Sequence, residues 1–225
     1  MRRYHSQLAA GALMVCLVGS VNAAAPNSDA FERYLTSKAY LDRLFELGLY
    51  WDRDILERQT RCETQYKVEP TRFAVLDTPL FEDGQVEPVR GIWRQRFALE
   101  RCGEQAIYNV LVVAKDGRIQ VQPQVPGESR VGPLLLGDLL KEAVAVRSAQ
   151  LTEAQGDCRQ VAVADTRVSR EPADRELAGQ VAKGVWEEHW VVKRCEQSFT
   201  MDFCFKPNAK QAGAVDWVPR HCDEL

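Results

Sequence analysis

The sequence predicts an α+β fold: two tandem units, each a helix followed by an antiparallel β-meander, stapled by disulfides. Three observations predict it. First, one passage occurs twice without a gap, Gly91-Ile92-Trp93-x-x-x-Phe97-x-Leu99-x-Arg101-Cys102 and Gly184-Val185-Trp186-x-x-x-Trp190-x-Val192-x-Arg194-Cys195, and such an echo marks a repeated structural unit. Second, each copy lies between an apolar pattern at helical spacing and one that alternates, the periods of helix and half-buried strand. Third, an even number of cysteines follows a leader of secretory type, which signals a disulfide framework. The units run over residues 29–126 and 133–225.

The leader comes first. Arg2 and Arg3 precede an apolar run from Leu8 to Val21, and Val21-Asn22-Ala23 fits the small-residue cleavage rule, so residues 1–23 read as a signal peptide. The run falls short of the ~20 residues a spanning helix needs. Val15 stands before Cys16, where a lipoprotein signal carries a small residue. No membrane span is expected after cleavage, and the location read from this leader is periplasmic or secreted. The 225-residue chain has a net charge of −3, which becomes −5 once Arg2 and Arg3 are removed. That balance, without a basic patch, argues against nucleic acid as a partner.

In the first unit, Asp29 to Leu47 reads as a helix. Asp29 and Glu32 form a variant capping box, and Gly48 stands where a helix ends. A short helix over 52–61 follows. Strands are expected at 72–78, 91–102, 106–114 and 118–122, with Asp116-Gly117 as a hairpin turn. Trp93, Gln95, Phe97 and Leu99 share one strand face, as do Ala106, Tyr108, Val110 and Val112, so the two rows can meet as cross-strand pairs. Residues 124–132, with Pro126, Gly127, Gly132 and Pro133 following, read as a linker.

In the second unit, 134–149 reads as a helix with a wide apolar face of Leu135, Leu136, Leu139, Leu140, Ala143, Val144 and Val146. Strands are expected at 158–166, 185–195, 199–205 and 214–218. The stretch from Arg167 to Lys183 reads as an insertion with room for a short helix. The echo extends beyond its core. Ala74-Val75-x-Asp77-Thr78 matches Ala162-Val163-x-Asp165-Thr166, and Gly84-Gln85-Val86 matches Gly179-Gln180-Val181. Downstream, Gly117-x-Ile119-x-Val121-x-Pro123 matches Gly213-x-Val215-x-Trp217-x-Pro219.

Six cysteines follow the leader. Cys102 and Cys195 are equivalent, so their partners should be too. The repeat therefore predicts Cys62–Cys102 and Cys158–Cys195, leaving Cys204 with Cys222. A metal site is not expected, because no Cys-x-x-Cys or His-x₃-His spacing occurs.

The candidate binding residues are the aromatic rows: Trp93 and Phe97 with Trp186 and Trp190, joined by Trp217 where the first unit has Val121. Aromatic residues dominate recognition hot spots, but they also pack a sheet against its covering helix, and both readings stand. Asp77 and Asp165 are the only repeat-based carboxylate pair, and Asp-Thr also caps turns. Arg101 and Arg194 lie on the aromatic face, where stacking suits them. Strand alternation separates Glu188 from Glu187 and His189. No nucleophile elbow, phosphate loop, dinucleotide fingerprint or zinc motif is present, so no catalytic residue and no cofactor is assigned. Cys222-Asp223-Glu224-Leu225 is similar to a retrieval signal but has Cys in its first place.

The string Gly184-x-Trp186-x-Glu188-x-Trp190-x-Val192-x-x-Cys195 resembles a pattern of uncharacterised secreted bacterial proteins, Gly-x-Trp-x-Glu-x-Trp-x-Val-x-x-Cys-Gly. Glu196 replaces the final glycine here. The first unit keeps Gly103 but has Gln95, Phe97 and Leu99 at the substituted places. The architecture is similar to that of tandem-repeat β-lactamase-inhibitor proteins. Neither resemblance brings an activity with it. The functional expectation is a non-enzymatic exported binding or inhibitor-like protein with a protein or envelope macromolecule as partner. The alternatives are a carboxylate-dependent envelope hydrolase and an envelope structural or assembly factor.

Overall fold

The computed structural model describes residues 26–57, 66–101, 103–150, 160–195, 197–211 and 213–225. The expected signal peptide and the expected bridge cysteines Cys62, Cys102 and Cys158 lie outside these residues. Within them the chain is a mixture of helices and antiparallel sheet. Two four-stranded sheets each follow chain order. The first comprises β1 (Tyr66–Leu80), β2 (Arg90–Arg101), β3 (Glu104–Lys115) and β4 (Arg118–Gln124). The second comprises β5 (Val161–Leu177), β6 (Gln180–Arg194), β7 (Gln197–Pro207) and β8 (Val215–Val218). Cys204 and Cys222 form a disulfide, and Cys195 is also disulfide-bonded.

The helical segments differ from their sequence reading. The expected single helix over 29–47 is two, α1 (Pro26–Leu35) and α2 (Lys38–Tyr50). The break falls at Ser37, whose hydroxyl accepts the Tyr40 N–H and caps α2. Gly48 does not end the helix. It lies inside α2, where a Cβ would stand 3.0 Å from Leu99 Cδ2, so the glycine admits the sheet to the helix surface. A π-helical turn, Trp51–Ile55, continues α2 where a separate helix was expected. The later helix runs as α3 (Pro133–Asp138), a π-helical stretch (Leu139–Val144) and α4 (Ala145–Gln150). The wider π turn rotates the apolar stripe, and Leu140 and Val146, expected inside, are exposed.

Each helical segment covers one face of its own sheet. On β2, Trp93, Gln95, Phe97, Leu99 and Arg101 alternate inward and are buried. They stand opposite Val112, Val110, Tyr108, Ala106 and Glu104 of β3, as the alternation predicts. Phe31 and Tyr34 of α1 pack edge-on against Trp93 at ring-centroid distances of 5.2 and 6.0 Å. In the second sheet, Leu136, Leu139, Ala143 and Val144 close over Trp190, Phe203 and Phe205.

The strand registers locate the sequence echo. Trp93 faces Val112, which faces Val121; Trp186 faces Phe205, which faces Trp217. The downstream echo therefore occupies matching positions. The upstream one does not: Val75 faces Trp93, whereas Val163 faces Val192. Val163 lies 23 residues before Trp186, whereas Val75 lies 18 before Trp93, and the tight turn that sets Leu177 opposite Gln180 takes the extra length into the strands, which carries the two motifs to different places. The stretch 167–183 holds no helix. β5 and β6 continue through it as a long hairpin, with Leu177 opposite Gln180.

The segment between the sheets is a clamped strap. Val125, Pro126, Gly127, Ser129 and Val131 are buried. On one side the Gly127 N–H donates to the Ile107 carbonyl at 2.8 Å. The Asn109 side-chain amide donates to the Val125 and Gly127 carbonyls at 2.9 and 2.8 Å. On the other side the Glu128 N–H donates to the Thr166 carbonyl at 2.7 Å. The Ser129 N–H donates to Thr166 Oγ1, which itself donates to the Pro126 carbonyl. Gly127 has φ +90°, and a Cβ there would sit 2.2 Å from the Thr166 carbonyl oxygen.

Two predictions follow from this packing. Gly127→Ala combines a left-handed backbone with a backbone clash and should cost more than ~2 kcal/mol in urea unfolding; an unchanged midpoint would show that the strap yields. Burial pushes the Tyr34 phenol up to about 12 and that of Tyr40 higher still. Above pH ~10 the unfolded phenols ionise while the buried ones stay protonated. Stability is therefore complete below that pH and falls as pH rises above it, which thermal melts across the alkaline range would record.

Candidate functional site

The aromatic rows are built into the two cores. Trp93, Phe97 and Trp190 are wholly buried and Trp186 nearly so. Trp217 is half-buried on β8 and packs edge-on against Phe203 at 6.0 Å. Of these five, Trp217 has the largest part of its surface open to solvent.

Each row contains one buried polar residue, and it answers the indole N–H groups. Trp93 Nε1 donates to the Tyr40 hydroxyl at 3.1 Å, which donates to Gln95 Oε1 at 3.4 Å. Gln95 Nε2 in turn donates to the backbone carbonyls of Arg72 and Arg96. In the second sheet the matching position is Glu188, with 0% exposure. Its Oε1 accepts from Trp186 Nε1 at 3.0 Å and from the Arg130 N–H at 2.8 Å, and its Oε2 accepts from Trp190 Nε1 at 2.8 Å. A buried indole needs such an acceptor.

The duplicated charged residues serve the scaffold. Asp77 pairs with Arg90 at 3.2 Å on the first sheet. Asp165 lies 3.8 Å from Arg167 on the second sheet. They come from non-matching register positions and do not form a pair. Arg101 and Arg194 take oxygen partners. Arg101 is buried and ion-paired to Asp52, which also accepts from the Tyr108 hydroxyl. Arg194 donates to the Ser148 carbonyl at 3.0 Å. Each arginine thus ties the end of a helical segment to its sheet. His189 Nδ1 lies 2.8 Å from Asp202, and His221 bridges Asp202 and Glu187. The last residues are fastened: Cys222 is buried in its disulfide, and Arg170 forms a two-point pair with Asp223 at 2.8 and 2.6 Å.

The outward face of the first sheet carries the most distinctive chemistry. Arg94 and Arg96 alternate away from the core, and Arg72 stands opposite Arg96 on β1. These three, with the strap residues Glu128, Ser129 and Arg130 and with Val168 and Glu171 of β5, line a cavity of about 420 Å³. β1 and β5, the outermost strands of their sheets, form its two walls. Arg96 Nε donates to Asn109 Oδ1 at 3.0 Å, and its Nη2 donates to the Ser129 carbonyl at 3.1 Å. Arg130 pairs with Glu171 at 3.0 Å. No hydrogen bond or ion pair to the Arg94 or Arg72 guanidinium is present among the described residues. Burial pushes the Arg94 and Arg96 guanidinium groups down from their usual range, against the opposing pull of Glu188 on both and of Glu128 on Arg96. In contrast, the ion pair to Asp223 raises that of Arg170. Burial thus outweighs the pull of the nearby acids at Arg94 and Arg96.

No family model, curated protein or solved structure matches the chain. The cleft itself is the guide to function. None of Arg72, Arg94 and Arg96 is singled out by sequence reading. The usable signal was Arg94-x-Arg96, two cations on one face of a strand whose other face is aromatic.

Glu188→Ala should destabilise the protein by at least ~3 kcal/mol, since it leaves two indole N–H groups and one strap amide without an acceptor. Glu188→Gln, which keeps one acceptor oxygen, should lose less. Chemical unfolding of the two variants would test the order.

Proposed function

We propose that the chain is a duplicated scaffold exported to the periplasm or beyond, and that it acts there as a binding or inhibitor-like protein on a macromolecular partner. The observation that carries this reading is the arginine-lined cleft between two outermost strands, in a chain whose net charge is negative. A localised cationic cavity on an acidic protein steers and orients an oppositely charged partner. The clamped strap supports the reading, because it ties the first sheet to β5 without a partner and so lowers the cost of ordering on binding.

Export is supported by the leader-like N-terminus and by the Cys204–Cys222 bridge, since disulfides persist in oxidising compartments. Among the described residues no helix is long and apolar enough to cross a membrane. Duplication is supported by the matching positions of Trp93 and Trp186, and of Val121 and Trp217. The partner class is protein or another envelope macromolecule, and not nucleic acid. Affinity capture of the purified protein's partners from its own envelope, read by mass spectrometry, should recover a specific component. Recovery of nothing beyond a control bait would remove the binding reading.

A further inference from the structure

We propose that the cleft seats an extended acidic segment of a partner protein, its carboxylate held by Arg72, Arg94 and Arg96 and its backbone running along the open edge of β1. The inference rests on the binding reading and specifies the ligand and its mode.

Charge and geometry point to a carboxylate. Arg94 and Arg72 both line the cavity, and neither guanidinium has a hydrogen-bonding partner among the described residues. Arg96 is held in place by neutral oxygens, those of Asn109 and Ser129, so its position is fixed without a direct ion pair among the described residues. Planar guanidinium forks lining one cavity match a carboxylate in two-point fashion. The rim narrows the choice. Glu128 and the Arg130–Glu171 pair lie at the walls, and a free carboxylate there repels a long polyanion such as nucleic acid or a sulfated polysaccharide. A single acid side chain flanked by uncharged residues meets the arginines without that conflict.

The strand supplies the second half of the argument. β1 is an outermost strand, so one side of its backbone has no neighbouring strand among the described residues. Its residues 71–76 are all exposed. They include Leu76 at 56% and Phe73 at 53%, the latter with its ring edge-on to Phe31 of α1 at 5.8 Å, and Arg72, Phe73 and Ala74 line the cavity directly. An open edge with apolar side chains is a template for strand addition, in which backbone bonds give affinity and alternate side chains give specificity. A cavity of about 420 Å³ suits one or two side chains of such a segment.

The test is selection of a random heptapeptide display library on the purified protein, with Arg72→Gln and Arg94→Gln variants as parallel baits. Enriched peptides should carry Asp or Glu flanked by β-branched or aromatic residues. Replacing that acid by its amide, or either arginine by glutamine, should weaken binding at least about tenfold. Glu128→Gln should tighten it, because a competing carboxylate is gone. Arg72 and Glu128 are exposed, so their variants keep the test independent of folding. Enrichment without an acid, enrichment indifferent to both arginine variants, or no enrichment would each overturn the proposal. Saturable binding of inorganic phosphate, lost in Arg94→Gln while no acidic peptide is enriched, would overturn it in favour of a small-oxyanion site. Envelope capture of a partner undiminished by both arginine variants would remove this site and leave the binding reading standing.

Discussion

The strap from Val125 to Val131 is the constraint on which the arrangement of the chain depends. Its amides and carbonyls are divided between two sheets: Ile107 and Asn109 take one side, Thr166 and Glu188 the other. Gly127 makes this possible. Only a residue without a side chain lets the strap lie against the β5 backbone at Thr166. The same contacts build the cleft, since Ser129 anchors Arg96 and Arg130 lines the far wall. Scaffold and candidate site therefore share their most sensitive residues.

Beneath each sheet, the Trp-x-polar-x-aromatic spacing solves a packing problem. Large rings supply buried area, but each indole carries an N–H that cannot be left unmatched in a core. Alternation places the residue two positions along on the same face, where a Gln or Glu can reach it directly or through a tyrosine. The second sheet uses the charged version. Three N–H donors surround Glu188, and its charge also acts on Arg94 across the strap. The polar residue of the repeated string is thus as much a core residue as the tryptophans.

Much of the sheet architecture was legible, because alternation is direct evidence for a half-buried strand. The β2–β3 pairing follows it residue by residue. The outer strands were less so. In β5 the run Ser169-Arg170-Glu171-Pro172-Ala173-Asp174 forms part of a long hairpin yet shows no apolar period, since most of it faces solvent on both sides. The longer β5–β6 hairpin carried the second Asp-Thr motif away from the register position of the first, so a similarity in sequence was not one in space. Thr166 is a buried clamp, whereas Thr78 is exposed. The cleft was hidden for a different reason. Its arginines, strap residues and β5 wall come from segments far apart in the chain, and only the path of the strap brings them together.

The way the strap is shared also governs how the chain can be divided. A cut within it would strip the first sheet of the carbonyls that Asn109 grips, or the second of the amides that Thr166 and Glu188 receive. Each half would keep most of its core and lose its boundary. Such halves are expected to behave as complementary fragments that re-form the parent when mixed, rather than as two proteins with lives of their own.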